Sequence, residues 1–205
     1  DQPAVVREVE TRVGYPLVVK PAVAGSSVGI SRAANAEELV RAVGRAIQFS
    51  ARVLAEKALD ARLEVQCAVL GNHEPVVSEC EELTQSAGIV SFEEKYLKRP
   101  DAADADLAPS HIPARIPEDL ARRAKALALD TFRALDARGI ARVDFLVDRA
   151  TLEPFVNEVN TLPGSLCLRL WEASGIAPAA LVRRLLALAV EAHEEKTRTR
   201  FESRE

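Results

Sequence analysis

The stretch GIARVDFLVDRATLEPFVNEVN, residues 139–160, sets charged side chains inside apolar strands, so that fold and chemistry meet in it. Ile140–Val147 and Pro154–Val159 are predicted strands, joined by a turn around Asp148–Glu153. Side chains two apart on a strand share a face, so Arg142 lies beside Asp144, and Glu158 beside Asn160. A charge buried in such a strand costs several kcal/mol unless a partner or a metal compensates it. Two carboxylates and an amide on adjacent strands suit one or two magnesium ions, because hard cations take such oxygens and leave their other positions to water and phosphate. The alternative is an Arg142–Asp144 ion pair with Glu158 and Asn160 at a strand end facing water.

Upstream, Tyr15–Lys20 reads as a strand ending in a lysine, followed by the loop AGSSVG (24–29) and a second strand over Val28–Arg32. A Walker lysine follows its glycines and opens a helix, whereas Lys20 precedes them, so this is neither a P-loop nor a dinucleotide fingerprint. A glycine loop between strands can still fold its N–H groups and the Ser26 and Ser27 hydroxyls over phosphate oxygens, with Lys20 neutralising charge. A plain hairpin turn with a snorkelling lysine is the alternative.

Asn35 with Glu38 three residues on has the form of a capping box and predicts a helix over roughly 36–48. Arg52–Glu56, Leu63–Leu70 and Pro75–Glu81 read as strands, the last two turning at Gly71-Asn72, which makes an antiparallel meander. Periodicity fades from Thr84 to Pro117, as in a long functional loop. Pro117 at the first helical position, apolar residues from Leu120 to Leu135 and Gly139 beyond the end predict a long helix, and Pro178 opens a last one. Tight turns between neighbouring strands favour antiparallel sheets with helices packed on one side, an α+β architecture in two lobes.

A net charge of −4, from 27 basic and 31 acidic residues, makes no electrostatic case for nucleic acid or an anionic membrane. Cys67, Cys80 and Cys167 are widely spaced and odd in number, which reads as free thiols in the cytoplasm. The chain opens on Asp1 and at once enters an amphipathic segment, as expected of a piece of something longer. His73, His111 and His193 have no ligand spacing, and no nearby Ser/His/Asp pattern supports a hydrolase.

Taken in order, LVVKPAVAGSSVGIS, VLAEKAL, EVQCAVLGN, EEKYL, GIARVDFLV and NEVNTLPG closely resemble the D-alanine:D-alanine ligase pattern of the ATP-grasp superfamily, from about residue 12 to 190. The resemblance implies an ATP-grasp fold whose antiparallel sheets enclose ATP. The small lobe with the glycine loop would span 1–60. The large lobe, 61–205, would carry the metal strands and a lid loop at about 84–100. By motif matching, Lys20 and Lys95 bind phosphates, Ser26 and Ser27 belong to the loop over them, and the Glu56, Lys57, Ala58 and Leu59 stretch holds adenine. Glu64 binds the ribose, at one residue more than the usual spacing from Glu56, while Asp144, Glu158 and Asn160 hold two magnesium ions, with manganese a substitute.

In that family ATP phosphorylates the carboxylate of one amino acid, and the amine of a second attacks the acyl phosphate. Arg142 and the Gly164 N–H would stabilise the oxyanion, with Tyr96 on the lid and Ser26 in the loop serving catalysis. The implied product is a D-alanyl-D-alanine-type dipeptide for peptidoglycan, made by a cytoplasmic enzyme, with a homodimer compatible. Two departures stand out. The family's N-terminal domain, which helps hold the first substrate, is not in this sequence, so the chain reads alternatively as a nucleotide-binding module without turnover. Where the family commonly has a small hydroxyl residue for the acceptor carboxylate, this sequence reads SLCLRLW, with Arg169 at or near that position. Another amino or hydroxy acid acceptor is therefore the second alternative. Arg169 could clamp a carboxylate in bidentate fashion, or stand exposed or paired near Glu172.

Overall fold

A computed structural model of the chain describes residues 2–23, 25, 27–84 and 110–198. They form two compact units that meet in sequence between Asp60 and Ala61.

The first unit runs α1 (Gln2–Arg12), β1 (Leu17–Pro21), β2 (Ser31–Ala33), α2 (Ala36–Ala46) and β3 (Val53–Lys57). Its antiparallel sheet has the order β2-β1-β3. Alternation in LVVKP drives the packing: Leu17 and Val19 are buried with Ala33 against Leu39, Ala42 and Ala46 of α2, and Val6 and Val9 of α1 join that core. Val18 and Lys20 consequently point to the other face.

The capping box forms, displaced by one residue at its return bond. Asn35 Oδ1 accepts from the Glu38 N–H at 3.0 Å, while Glu38 Oε2 reaches the Ala34 N–H at 2.8 Å instead of that of Asn35. Replacing Asn35 by alanine is expected to destabilise this unit by about 1 kcal/mol, read as a lower urea midpoint in far-ultraviolet circular dichroism.

The predicted strand over Val28–Arg32 is overturned at its start. Val28 N–H donates to Gly25 O at 3.1 Å and Ile30 N–H to Ser27 O at 3.4 Å, so these groups serve turns, and β2 begins only at Ser31. Ser27 (φ 61) and Gly29 (φ 72) are left-handed. A Cβ on Gly29 would lie 2.7 Å from the Phe49 ring and 2.8 Å from Pro21, a close approach that requires glycine.

The second unit contains β4 (Arg62–Gly71), β5 (Val76–Leu83), β6 (Ser110–His111), α3 (Glu118–Ala134), β7 (Gly139–Asp148) and β8 (Pro154–Asn160). A 3-10 turn (Gly164–Cys167), α4 (Leu168–Ala173) and α5 (Pro178–Arg198) follow. The sheet is antiparallel in the order β6-β5-β4-β7-β8. Leu120, Ala124, Ala128 and Phe132 of α3 cover one face, over Val65, Cys67, Val143 and Phe145. On the other face Leu170, Trp171 and Leu181, from α4 and α5, cover only Ala68, Leu70 and Ile140.

Helices therefore pack on both faces, not on one as the strand pattern predicted. The short α4 has too few residues to display a helical period, so sequence patterning missed it. Two ends also move. Pro117 caps α3 from outside instead of opening it, and Gly139 (φ 75) begins β7, the left-handed residue near the helix end being Asp136 (φ 48). Among the described residues no single helix is long and apolar enough to cross a membrane.

Candidate active site

The face of the second sheet opposite α3 is organised in cross-strand rows. Gln66 pairs in register with Glu81 on one side and Asp144 on the other, and Asp144 pairs with Glu158. Glu81, Gln66, Asp144 and Glu158 thus form one row across β5, β4, β7 and β8. Arg142 and Asn160 pair directly in the next row, and Glu64 opposes Leu146 in the row on the other side. A bulge in β8, between the pairs Asp144↔Glu158 and Phe145↔Val156, resets the alternation so that Glu158 and Asn160 keep to this face.

Arg142 and Asp144 form a bidentate pair, Nε to Oδ1 at 2.6 Å and an outer nitrogen to Oδ2 at 2.8 Å. Burial dominates the Asp144 carboxyl and raises its pKa; Arg142 works against that, and the nearby Glu158 charge adds to it. The guanidinium of Arg142 is in turn held protonated above its ordinary value, chiefly by its hydrogen bond to Asp144.

The Asn160 amide bridges the two acids, 3.0 Å from Asp144 and 3.5 Å from Glu158. Asp144, Glu158 and Asn160 therefore converge on one small region, offering oxygen donors of the kind magnesium prefers. The amide assignment that points Nδ2 at both carboxylates is the one that two neighbouring acids impose, and a half-turn about its last torsion would present the oxygen instead. The ion pair and the converging oxygens coexist, so the two readings of this strand pair are not exclusive.

Beyond β8 the chain turns at Gly164, and Ser165, Leu166 and Cys167 all take left-handed φ values of 49, 49 and 54. Such residues cost about 1–3 kcal/mol each and gather at functional sites. The turn brings Cys167 close enough to Arg142, Asp144 and Glu81 to feel their charges, and burial pushes its thiol up to about 12. Glu64 accepts from Arg62 at 3.2 Å.

In the first unit, Lys20 Nζ lies 2.8 Å from Glu56 Oε2 on the face opposite α1 and α2. Val18 and Glu56 are register partners on that face, and Lys57 is exposed with its side chain on the alternate side. Leu59 follows the end of β3 and Ser27 lies in the glycine loop. Ser26, Lys95 and Tyr96 fall outside the described residues, as does the segment 84–100 except for Thr84.

Sequence reading missed Glu81 and Gln66. Glu81 is a buried carboxylate whose Oε2 accepts from Gln66 Nε2 at 2.5 Å. The signal was present, since Gln66 is a polar residue set among Val65, Cys67 and Ala68 of the strand, and its partner follows once the hairpin register is known. Arg169 stands exposed, as expected, but its ion pair is with Glu81 at 3.6 Å and not near Glu172.

The family profile described as D-ala D-ala ligase C-terminus matches residues 1–187. The chain belongs to the D-Ala-D-Ala ligase family. It is 41% identical over 202 residues to the D-alanine--D-alanine ligase of Thermoanaerobacter sp. (strain X514), covering 97% of this chain and 54% of that protein. The corresponding ligase of Chlorobium chlorochromatii (strain CaD3) is 43% identical over 192 residues, covering 92% and 51%.

Among solved ligases, the D-alanine-D-alanine ligase from Coxiella burnetii superposes with a TM-score of 0.77 at 27% identity, over 97% of this chain and 51% of that one. The VanG D-Ala:D-Ser ligase from Enterococcus faecalis gives 0.75 at 31%, over 91% and 53%. The α+β arrangement of helices and antiparallel sheets is thus the ATP-grasp fold. The chain spans about half the length of the curated ligases it matches.

Proposed function

We propose that this chain supplies the nucleotide-binding and catalytic half of an ATP-dependent ligase that joins a carboxylate to an amine through an acyl phosphate, making a D-alanyl-D-alanine-type dipeptide for peptidoglycan. The observation that carries the reading is the convergence of Asp144, Glu158 and Asn160 on adjacent strands beside Arg142, in a member of this family. These residues fit magnesium: Asp144 and Glu158 supply anionic oxygens and Asn160 a neutral one, a hard donor set. One or two magnesium ions, with manganese a substitute, would draw negative charge off the phosphate oxygens.

The chain's own residues divide the remaining work. Lys20, largely buried and paired with Glu56, supplies the ammonium for a phosphate. Ser27 and Ser26 belong to the loop that covers phosphate oxygens, Glu56, Lys57 and Leu59 to the adenine contact, and Glu64 to the ribose. Arg142, fixed by Asp144, stabilises the oxyanion that forms as the amine attacks, together with the Gly164 N–H. Lys95 and Tyr96 are assigned to the lid that keeps water from the acyl phosphate. Consumption of ATP assigns the reaction to the cytoplasm.

The test has two stages. Calorimetric titration of the chain with a non-hydrolysable ATP analogue is expected to give binding that needs magnesium; no heat and no thermal shift would reject the nucleotide site. Phosphate release by the complete gene product across a panel of D-amino acids is expected to show turnover, and silence with every one of them rejects the ligase. Arg169, together with the likeness to a protein named as a D-Ala:D-Ser ligase, favours a second reading in which the acceptor is another amino or hydroxy acid. Mass spectrometry of the product separates the two.

A further inference from the structure

Cys67 and Cys80 face each other across the β4–β5 hairpin as register partners in antiparallel strands. Their sulfurs lie 3.0 Å apart, close enough for one thiol to donate to the other, and both cysteines are buried and free. Directly opposed residues of an antiparallel pair stand about 4.5–5.5 Å apart at Cα, inside the range of about 4.4–6.8 Å that disulfides span. The strand register therefore supplies the backbone geometry of a bridge before any bond is made.

A buried cysteine commonly packs as a small apolar side chain. Packing alone asks for one such side chain at each position and gives no reason for two thiols to meet. The pair is also polarised. The hydrogen bond between the two sulfurs holds the Cys80 thiol below its ordinary value against the effect of burial, and the Lys125 ammonium adds to that. The same bond, with burial, pushes the Cys67 thiol up. Lys125 reaches this region from α3, its ammonium 2.8 Å from Glu79. One sulfur thus carries the thiolate character that attacks an oxidant, and the other holds a proton beside it.

We infer that Cys67 and Cys80 form an oxidative modification site, closing to a disulfide that ties β4 to β5 when a peroxide is the oxidant. The Cys80 thiolate attacks one peroxide oxygen, the O–O bond breaks, and the other oxygen leaves as hydroxide, giving a sulfenic acid at Cys80. The Cys67 sulfur then attacks the Cys80 sulfur. The S–S bond forms as the S–O bond breaks, and the oxygen leaves with the Cys67 proton as water. Two thiols lose two electrons in all, and one peroxide accepts them. Both sulfurs lie under α3, so peroxide reaches them in local openings of that helix. The bond restricts the unfolded chain and so stabilises the second unit. Gln66 and Glu81, the sequence neighbours of the two cysteines, are paired on the opposite face, so the bond fixes the backbone beneath the acid row.

The experiment treats the full chain with hydrogen peroxide in the absence of denaturant, alkylates the remaining thiols in urea, and cuts after glutamate, so that Glu74 separates the two cysteines. Mass spectrometry is expected to find the Cys67 and Cys80 peptides joined, lighter by two hydrogens than their sum, with Cys167 alkylated. The urea midpoint followed by Trp171 fluorescence should rise on oxidation and return on adding a dithiol reductant. Cys67→Ala and Cys80→Ser should each abolish the joined peptides and the reversible shift.

Cys67 and Cys80 both alkylated after peroxide treatment, or Cys167 found as the bridging partner, overturns the inference. Joined peptides with an unchanged midpoint overturn it too, since the bond would then constrain nothing. The map of the unaltered chain decides the matter even where a cysteine variant does not fold. None of these measurements uses ATP or turnover, so their failure leaves the ligase reading as it stands.

Discussion

Glu158→Gln or Asp144→Asn in the complete gene product is expected to lower ATP turnover about 100-fold or more, the loss of one strong transition-state contact of roughly 3 kcal/mol. The two substitutions should differ in their side effects. Glu158 is exposed and accepts only a long hydrogen bond of 3.5 Å from the Asn160 amide, so exchanging its carboxylate for an amide disturbs the fold little. Asp144 is the bidentate partner of Arg142, whose side chain is 25% exposed. Removing its charge leaves a largely buried guanidinium unpaired, a change that is strongly destabilising in its own right.

Asp144→Asn should therefore lose both turnover and stability, and Glu158→Gln mainly turnover. Steady-state phosphate release alongside urea unfolding measures both at once. A near-normal rate in Glu158→Gln would remove it from the metal ligands, whatever the stability data show.

What the sequence disclosed, and what it withheld, follows from the range of the interactions involved. Arg142, Asp144, Glu158 and Asn160 could be placed on common faces because strand alternation is local, and the turn Asp148–Glu153 that joins them is short enough to read directly. The bulge in β8 lies between Val156 and Glu158 and leaves Glu158 and Asn160 in phase with each other, so their common face stays legible. The capping box at Asn35 was legible for the same reason, since its partners lie within four residues.

Glu81 was different. It became a partner of Gln66 only through hairpin register, and of Arg169 only through the return of the chain across 88 residues (169 − 81), a relation that no local pattern encodes. The packing of α4 and α5 on the second face was hidden likewise. Arg169 stands out by its departure from the family pattern, yet its ion-pair partner is Glu81 and not the neighbouring Glu172. Sequence proximity is a poor guide on a short helix whose first residue follows three left-handed ones.

Phe132→Ala should destabilise the second unit by about 3–5 kcal/mol, as for other large-to-small changes in a packed core. Phe132 is 1% exposed and belongs to the layer that α3 makes over Val65, Cys67, Val143 and Phe145. The core lies on the odd-numbered side of β4 and β7, and Gln66, Arg142 and Asp144 on the even-numbered side. A cavity beneath the sheet removes contacts from the backbone that carries the site, without removing any group from the site itself.

The expected signature is a lower urea midpoint, followed by the fluorescence of Trp171, the chain's single tryptophan and itself buried in this unit. KM for ATP and for the acceptor should stay close to normal at temperatures where the variant remains folded. Opposite behaviour, normal stability with raised KM, would mean that α3 and not the strand register sets the position of the acid row. The comparison with Glu158→Gln then separates the two faces of the same strands: one holds the sheet together, and the other carries the charges.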